Sequence, residues 1–251
     1  MSDRPRAAIL LTGSELARGS IRDANGPFLA RELTRLGLEP ARWTLVGDAP
    51  EELEAALRDG LAADLCVVSG GLGPTHDDRT VELLARATGR ALHVDAGLEE
   101  EIDGVARAVA GRLGRPYAEL AVGVRKQASL PEGAVSLGLA GTAPALLLEH
   151  ADGRVAVTLP GPPGELRRLW PRVVESAPVQ ALASRARRRE QRVLRFFAVP
   201  EAAVARAVEH AGGEGDGLEL TICARNFELE VDLFVSAGGE ERAAAVEDAL
   251  V

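Results

Sequence analysis

The sequence predicts an α/β protein: a three-layer α/β/α unit on a mostly parallel sheet, followed by a small α+β unit. Three observations carry that expectation. Through residues 7–170, short apolar runs alternate with segments of helical period, the pattern of strands joined by helical crossovers. One run, residues 65–68, opens directly into a glycine-rich turn. Beyond residue 190 the pattern becomes strand, helix, strand, strand, helix, with strict alternation over residues 227–233.

Residues 7–12 read as a buried strand ending at Gly13-Ser14-Glu15-Leu16, with Gly19 and Asn25 beyond it. Phe28, Leu29, Leu33 and Leu36 give the next segment a helical apolar face, with Pro27 near its start and Gly37 closing it. Residues 41–46 form a second strand ending at Gly47-Asp48, and Pro50 with Leu53, Leu57 and Leu61 begins another helix. The third strand, 65–68, leads into Gly70-Gly71-Leu72-Gly73-Pro74-Thr75-His76-Asp77-Asp78-Arg79-Thr80. Glycines let a phosphate approach backbone N–H groups, and Thr75-x-x-Asp78 has helix-start spacing. The stretch therefore reads as strand, glycine turn and helix N-terminus, where open α/β sheets bind anionic ligands. A plain turn and cap fit the same residues.

Glu15, Asp48 and Asp78 each follow one of three successive strands. Crossover connections bring the carboxyl ends of parallel strands to one sheet edge, so these acids are expected to converge. Carboxylates beside an anion site point to a bridging divalent cation. Asp48 alone also fits a helix cap.

Residues 95–113 read as helix, Lys126-Gln127-Ala128 as loop, and residues 145–149 and 155–159 as strands joined by an Asp152-Gly153 hairpin turn. Between loop and strands lies Gly141-Thr142-Ala143-Pro144. Leu159-Pro160-Gly161-Pro162-Pro163-Gly164-Glu165-Leu166 then fixes a rigid path into a helix. The unit boundary falls near residues 176–192, a solvated run with Arg185, Arg187, Arg188, Arg189 and Arg192. This gives domains at 1–175 and 190–251. Gly212-x-x-Gly215 matches the loop of an RNA-binding KH module in form, but Glu214 and Asp216 replace basic residues, which points to a plain turn.

At 251 residues and 46% hydrophobic content, the chain has enough material for a sizeable core. Its net charge of −9 argues against a dedicated nucleic-acid binder. No apolar run approaches the roughly 18 residues of a membrane span. The N-terminus reads as strand rather than signal peptide. Cys66 and Cys223, far apart in apolar runs, read as free thiols of a cytoplasmic protein.

The chain resembles the CinA family, the competence/damage-inducible proteins whose N-terminal domain is shared with molybdopterin-binding proteins of the MogA and MoeA kind. The matching blocks are Thr12-Gly13-Ser14-Glu15-Leu16 with Gly19 and Asn25, Val46-Gly47-Asp48, the Gly70 to Thr80 stretch, Lys126-Gln127-Ala128, Gly141-Thr142-Ala143-Pro144, and Leu159-Pro160-Gly161-x-Pro163-x-Glu165-Leu166. Ser14, Leu139, Ala140 and Ala145 depart from the family pattern. The segment from Pro200-Glu201 onward resembles the family's small KH-like domain. The family's C-terminal nicotinamide-nucleotide amidase domain has no counterpart here, so that activity is not expected.

The CinA resemblance implies an ADP-ribose pyrophosphatase-type hydrolase, releasing AMP and ribose 5-phosphate with Mg²⁺, Mn²⁺ or Co²⁺. The MogA/MoeA resemblance implies instead a protein of molybdenum cofactor (MoCF) biosynthesis that binds or processes molybdopterin, with or without catalysis. On either reading Asp78, Asp48 and Glu15 are the catalytic and metal-holding acids. The implied substrate contacts are Gly13, Asn25, Gly70, Gly71, Gly73, Pro74, Thr75, Asp77 and Thr80 in the first half, and Lys126, Gln127, Gly141, Thr142, Pro160, Gly161, Pro163 and Glu165 in the second. The family further implies a homodimer with a small-molecule phosphate ligand and neither nucleic-acid nor membrane partner.

Overall fold

The computed structural model describes residues 4–186 and 189–251; Arg187 and Arg188 of the arginine-rich run lie outside them. The chain divides into two compact units, Met1–Ala186 and Arg187–Val251. In chain order the first holds β1 (Arg6–Thr12), α1 (Ser14–Ala17), α2 (Asn25–Arg35), β2 (Glu39–Val46), α3 (Pro50–Gly60), β3 (Leu65–Ser69), α4 (Thr80–Thr88), β4 (Leu92–Val94), α5 (Ala96–Leu113), α6 (Tyr117–Gln127), β5 (Ser129–Pro131), β6 (Ala134–Leu139), β7 (Pro144–Glu149), β8 (Val155–Leu159), α7 (Pro163–Glu175) and α8 (Ala177–Arg185).

Six strands form one sheet in the order β2-β1-β3-β8-β7-β6. The pairs β1·β2, β1·β3 and β3·β8 are parallel, while β7 runs antiparallel to both its neighbours. The fold is thus a mostly parallel α/β sheet. Side chains alternate across each central strand. Ile9 and Leu11, Leu65 and Val67, and Val157 and Leu159 face a core shared with α2, α7 and α8 through Leu29, Leu33, Leu166, Trp170 and Leu182. Leu10, Cys66, Val68 and Ala156 face the opposite core, closed by Leu53 and Leu57 of α3 and Leu83 and Leu84 of α4. Burial pushes the Cys66 thiol up to about 12.

Strands buried on both faces explain the near-continuous apolar runs in the sequence. A third cluster packs Leu98, Ile102 and Ala106 of α5 with Val124 of α6 and Leu146 of β7. Val179 and Leu182 tie α8 into the first core, so this unit continues through α8 past residue 175.

Two local readings change. Lys126 and Gln127 lie in the last turn of α6, not in a loop. The helix is held by tertiary contact: Gly123 packs so closely on Pro74 that a Cβ there would collide. The strands β4, β5 and β6 also escape the sequence reading, because the first two are only three residues long and β6 is half exposed.

The second unit holds β9 (Glu190–Phe197), α9 (Glu201–His210), β10 (Leu218–Arg225), β11 (Glu228–Val235) and α10 (Glu240–Leu250). Its antiparallel sheet runs β10-β11-β9, and Leu229, Val231, Leu233 and Val235 pack against Val204, Val208, Ala243 and Val246 of the helices. The Gly212–Gly215 turn is closed internally: Arg242 donates to the Gly212 carbonyl and pairs with Asp216, and Glu214 accepts the N–H of Leu220.

Leu33 is fully buried where α2 meets the sheet. Leu33→Ala is expected to lower unfolding free energy by about 2–5 kcal/mol. Chemical denaturation checks this, as a shifted midpoint with an unchanged slope.

Candidate functional site

From β1 the chain moves to β2 on one side and then to β3 on the other, so the connections leaving the carboxyl ends of β1 and β3 diverge. Such a switch point opens a crevice at the sheet edge. A cavity of about 510 Å³ lies there, lined by residues that follow β1, β2, β3 and β8 in turn.

The glycine loop forms one wall. Gly70 and Gly71 have φ of +108° and +65°, and a Cβ on either would collide with Thr12 or Thr80. Thr80 is fully buried; its Oγ1 donates to the Gly70 carbonyl at 2.8 Å and its N–H to the Gly71 carbonyl at 3.1 Å. Gln127 Nε2 donates to the Leu72 carbonyl at 3.0 Å and to Thr142 Oγ1 at 3.4 Å. With its carbonyls held by Thr80 and Gln127, the loop leaves the N–H groups of Gly71, Leu72 and Gly73 without a protein acceptor among the described residues. Unpaired backbone donors beside a cavity form a cradle for an anion.

Thr75 and Asp78 do not cap a helix. The helix begins at Thr80, and the Thr75 N–H donates to Asp78 Oδ2 at 3.0 Å within the turn before it. Thr75 Oγ1 lies within hydrogen-bond reach of both Asp77 and Asp78. The Thr75 hydroxyl holds the Asp77 carboxyl below the usual range, helped by a backbone N–H and by the charges of His76 and Lys126. Asp48 is not a cap either: α3 starts after Ala49, while Asp48 accepts Thr12 Oγ1 at 3.3 Å and the Ser14 N–H at 2.9 Å. It ties the end of β1 to the end of β2.

Glu15, Asp48 and Asp78 all line the one cavity. They do not form the expected coordination sphere. Among the described residues, no three His, Cys, Asp or Glu side chains are grouped so as to hold a metal ion. Asp78 is turned toward the Thr75 N–H of its own turn, and Asp48 toward the Ser14 N–H beyond β1. The residues present therefore do not fit a three-carboxylate metal centre.

Gly13, Asn25, Gly70, Gly71, Gly73, Asp77, Gln127, Thr142, Pro160, Gly161, Pro163 and Glu165 also line the cavity. Asn25 is buried, its amide donating to Ser69 Oγ and the Gly161 carbonyl, which joins α2 to the loop after β8. Pro74, Thr75, Thr80, Lys126 and Gly141 stand outside the lining. Thr80 works from behind the loop, and Lys126 Nζ holds the Thr75 carbonyl. Lys126 instead borders a smaller, 260 Å³ cavity that shares Gly71, Leu72, Gly73, Asp78 and Gln127 with the main one.

The sequence reading missed Ile21, Arg22 and Asp23, which line the main cavity. Asp23 accepts the N–H groups of Asn25 and Gly26 at the start of α2. An aspartate two residues before a helix start was the available signal.

Thr80→Val keeps the shape of the residue but leaves the Gly70 carbonyl without its side-chain donor. It is expected to cost about 1–3 kcal/mol of stability. Thermal unfolding of the variant beside Thr80→Ser, which restores the hydroxyl, measures the loss.

Residues 8–182 match the family described as "Probable molybdopterin binding domain". A "CinA-like protein" of Mycolicibacterium vanbaalenii is 41% identical over 232 residues, covering 90% of this chain and 54% of the relative. One from Mycobacterium tuberculosis H37Rv is 42% identical over 244 residues, covering 92% and 55%. The chain thus spans about half the length of the curated relatives it matches. The crystal structure of a Thermoplasma acidophilum protein titled CinA, "with unknown function", superposes with a TM-score of 0.59 at 30% identity, covering 69% of this chain and 98% of that one. Among the described residues, no helix is long and apolar enough to cross a membrane.

Proposed function

The chain belongs to the CinA family and carries its molybdopterin-binding domain, and on that premise we propose that the cavity binds a molybdopterin-type ligand, a pterin carrying a phosphate. One observation supports this reading above the others. Three consecutive N–H groups, from Gly71 to Gly73, have no acceptor among the described residues on a loop that lines the cavity, while the carbonyls of Gly70, Gly71 and Leu72 are held by Thr80 and Gln127. A phosphate dianion satisfies such donors without reorganising the loop. The remaining lining supplies apolar surface for a ring, from Leu16, Ile21, Ala143 and the prolines after β8.

The acids favour a second reading of the same site. Asp48, Asp77, Asp78 and Glu15 stand beside the anion cradle, an arrangement suited to water activation at a diphosphate. On this reading the protein hydrolyses ADP-ribose to AMP and ribose 5-phosphate, and a divalent cation would enter with the diphosphate rather than be held by three protein carboxylates.

Calorimetric titration with a pterin phosphate monoester tests the first reading. The wild type is expected to bind, and Gly71→Val, whose Cβ would strike Thr80 Oγ1 and break the hold that sets the loop amides, to lose affinity by at least about tenfold. Equal affinity in both discards it. Incubation with ADP-ribose and Mg²⁺, Mn²⁺ or Co²⁺ tests the second. AMP release by the wild type but not by Asp78→Asn supports hydrolysis, and no release with any of the three ions discards it.

A further inference from the structure

The lining of the main cavity is unbalanced in charge. Six carboxylates stand in it, those of Glu15, Asp23, Asp48, Asp77, Asp78 and Glu165, against one cationic side chain among the described residues, Arg22. Yet Arg22 makes no hydrogen bond and no ion pair among the described residues. Four of the six acids are spent on the fold. Asp23 accepts the N–H groups of Asn25 and Gly26, Asp48 that of Ser14 and Asp78 that of Thr75, while Asp77 takes the Thr75 hydroxyl.

The chain presents Arg22 at a fixed point. The residues before it are tied back to α1, the N–H groups of Ser20 and Ile21 donating to the Glu15 carbonyl at 2.9 and 3.3 Å. Asp23, the residue after it, is tied forward to the start of α2. The backbone of Arg22 is thus held between two anchors at the cavity, while its exposed side chain keeps all five N–H donors. The three loop amides of the cradle satisfy one phosphate group. A second phosphate on the same ligand extends past them into a lining of carboxylates, where repulsion between like charges disfavours it. A guanidinium offsets that repulsion, and its planar fork matches two phosphate oxygens.

We propose that Arg22 is a specificity-determining residue of the cavity: it takes the second phosphate of a diphosphate ester whose other phosphate sits on the Gly71–Gly73 amides. This rests on the reading of those amides as a phosphate cradle, which the pterin and ADP-ribose readings share, and adds what selects a diphosphate over a monophosphate. The cradle holds the phosphate that both ligand classes carry. Arg22 acts only on the phosphate that a monoester lacks, so monophosphates are indifferent to it.

ADP and AMP share adenine and ribose and differ by one phosphate, so their ratio isolates the part played by Arg22. Calorimetry compares both nucleotides and a pterin phosphate monoester on the wild type, Arg22→Ala, Arg22→Lys and Arg18→Ala. Divalent cations are chelated throughout, which keeps a free ion from standing in for the guanidinium. Arg18 lies on the same exposed connection between α1 and α2 but outside the lining, so its variant removes an equal charge without touching the site. The wild type is expected to bind ADP about 10- to 100-fold more tightly than AMP, the gain from a charge-assisted, two-pronged contact. Arg22→Ala should lose that preference, with AMP and pterin phosphate unchanged. Arg22→Lys, a point charge without the fork, should keep only part of it. Arg18→Ala should match the wild type. If AMP or the pterin phosphate binds the wild type but ADP binds no tighter, if Arg22→Ala keeps the preference, or if Arg18→Ala loses it as fully, the assignment of Arg22 is overturned and the cradle stands. If none of the three ligands binds the wild type, the cradle reading falls and the inference with it.

Discussion

The hold that Thr80 exerts on the glycine loop is the constraint on which the site depends. A loop with two consecutive positive-φ glycines has many alternative paths when free. Here the hydroxyl and N–H of one buried threonine take the carbonyls of Gly70 and Gly71, and Gln127 takes that of Leu72. Once the carbonyls are turned inward, peptide planarity turns the N–H groups outward. The anion cradle is thus a consequence of where the carbonyls are anchored. Both anchors come from outside the loop, one from the first residue of α4 and the other from the last turn of α6.

The same logic separates the cavity carboxylates by role. Asp48 holds the ends of β1 and β2 together, Asp23 starts α2, and Asp78 closes the Thr75 turn. Each satisfies backbone donors that would otherwise be left unpaired at the crevice. Glu165, also in the lining, is half-buried and accepts no hydrogen bond among the described residues. A row of acids after successive strands therefore serves chiefly to build the walls, and the charge available to bound molecules is smaller than the composition of the motifs suggests.

Much of this was legible in order along the chain. The apolar runs at β1, β3 and β8 read as strands because each is buried on both faces, and the convergence of Glu15, Asp48 and Asp78 on one cavity followed from crossover connections alone. The readings that needed correction share one cause. Lys126-Gln127 was read as loop because the amphipathic pattern of α6 is weak, and that helix is fixed by Gly123 against Pro74, a contact about fifty positions away in sequence. Thr75 and Asp78 have the spacing of a helix cap, but spacing does not say whether the backbone between them is already helical.

The sequence by itself determined the layered α/β architecture, the family and the edge of the sheet at which a ligand is met, because periodicity, glycine placement and strand order are local or topological properties. Only the tertiary structure decided which groups remain free there. Whether a carboxylate or an N–H is available depends on every donor and acceptor within about 3 Å of it, and those neighbours arrive from segments as distant as Asn25 and Gly161, or Gly141 and Glu165. Free valence at a site is what remains after the fold has satisfied its own polar groups, and it appears only when the chain has closed on itself.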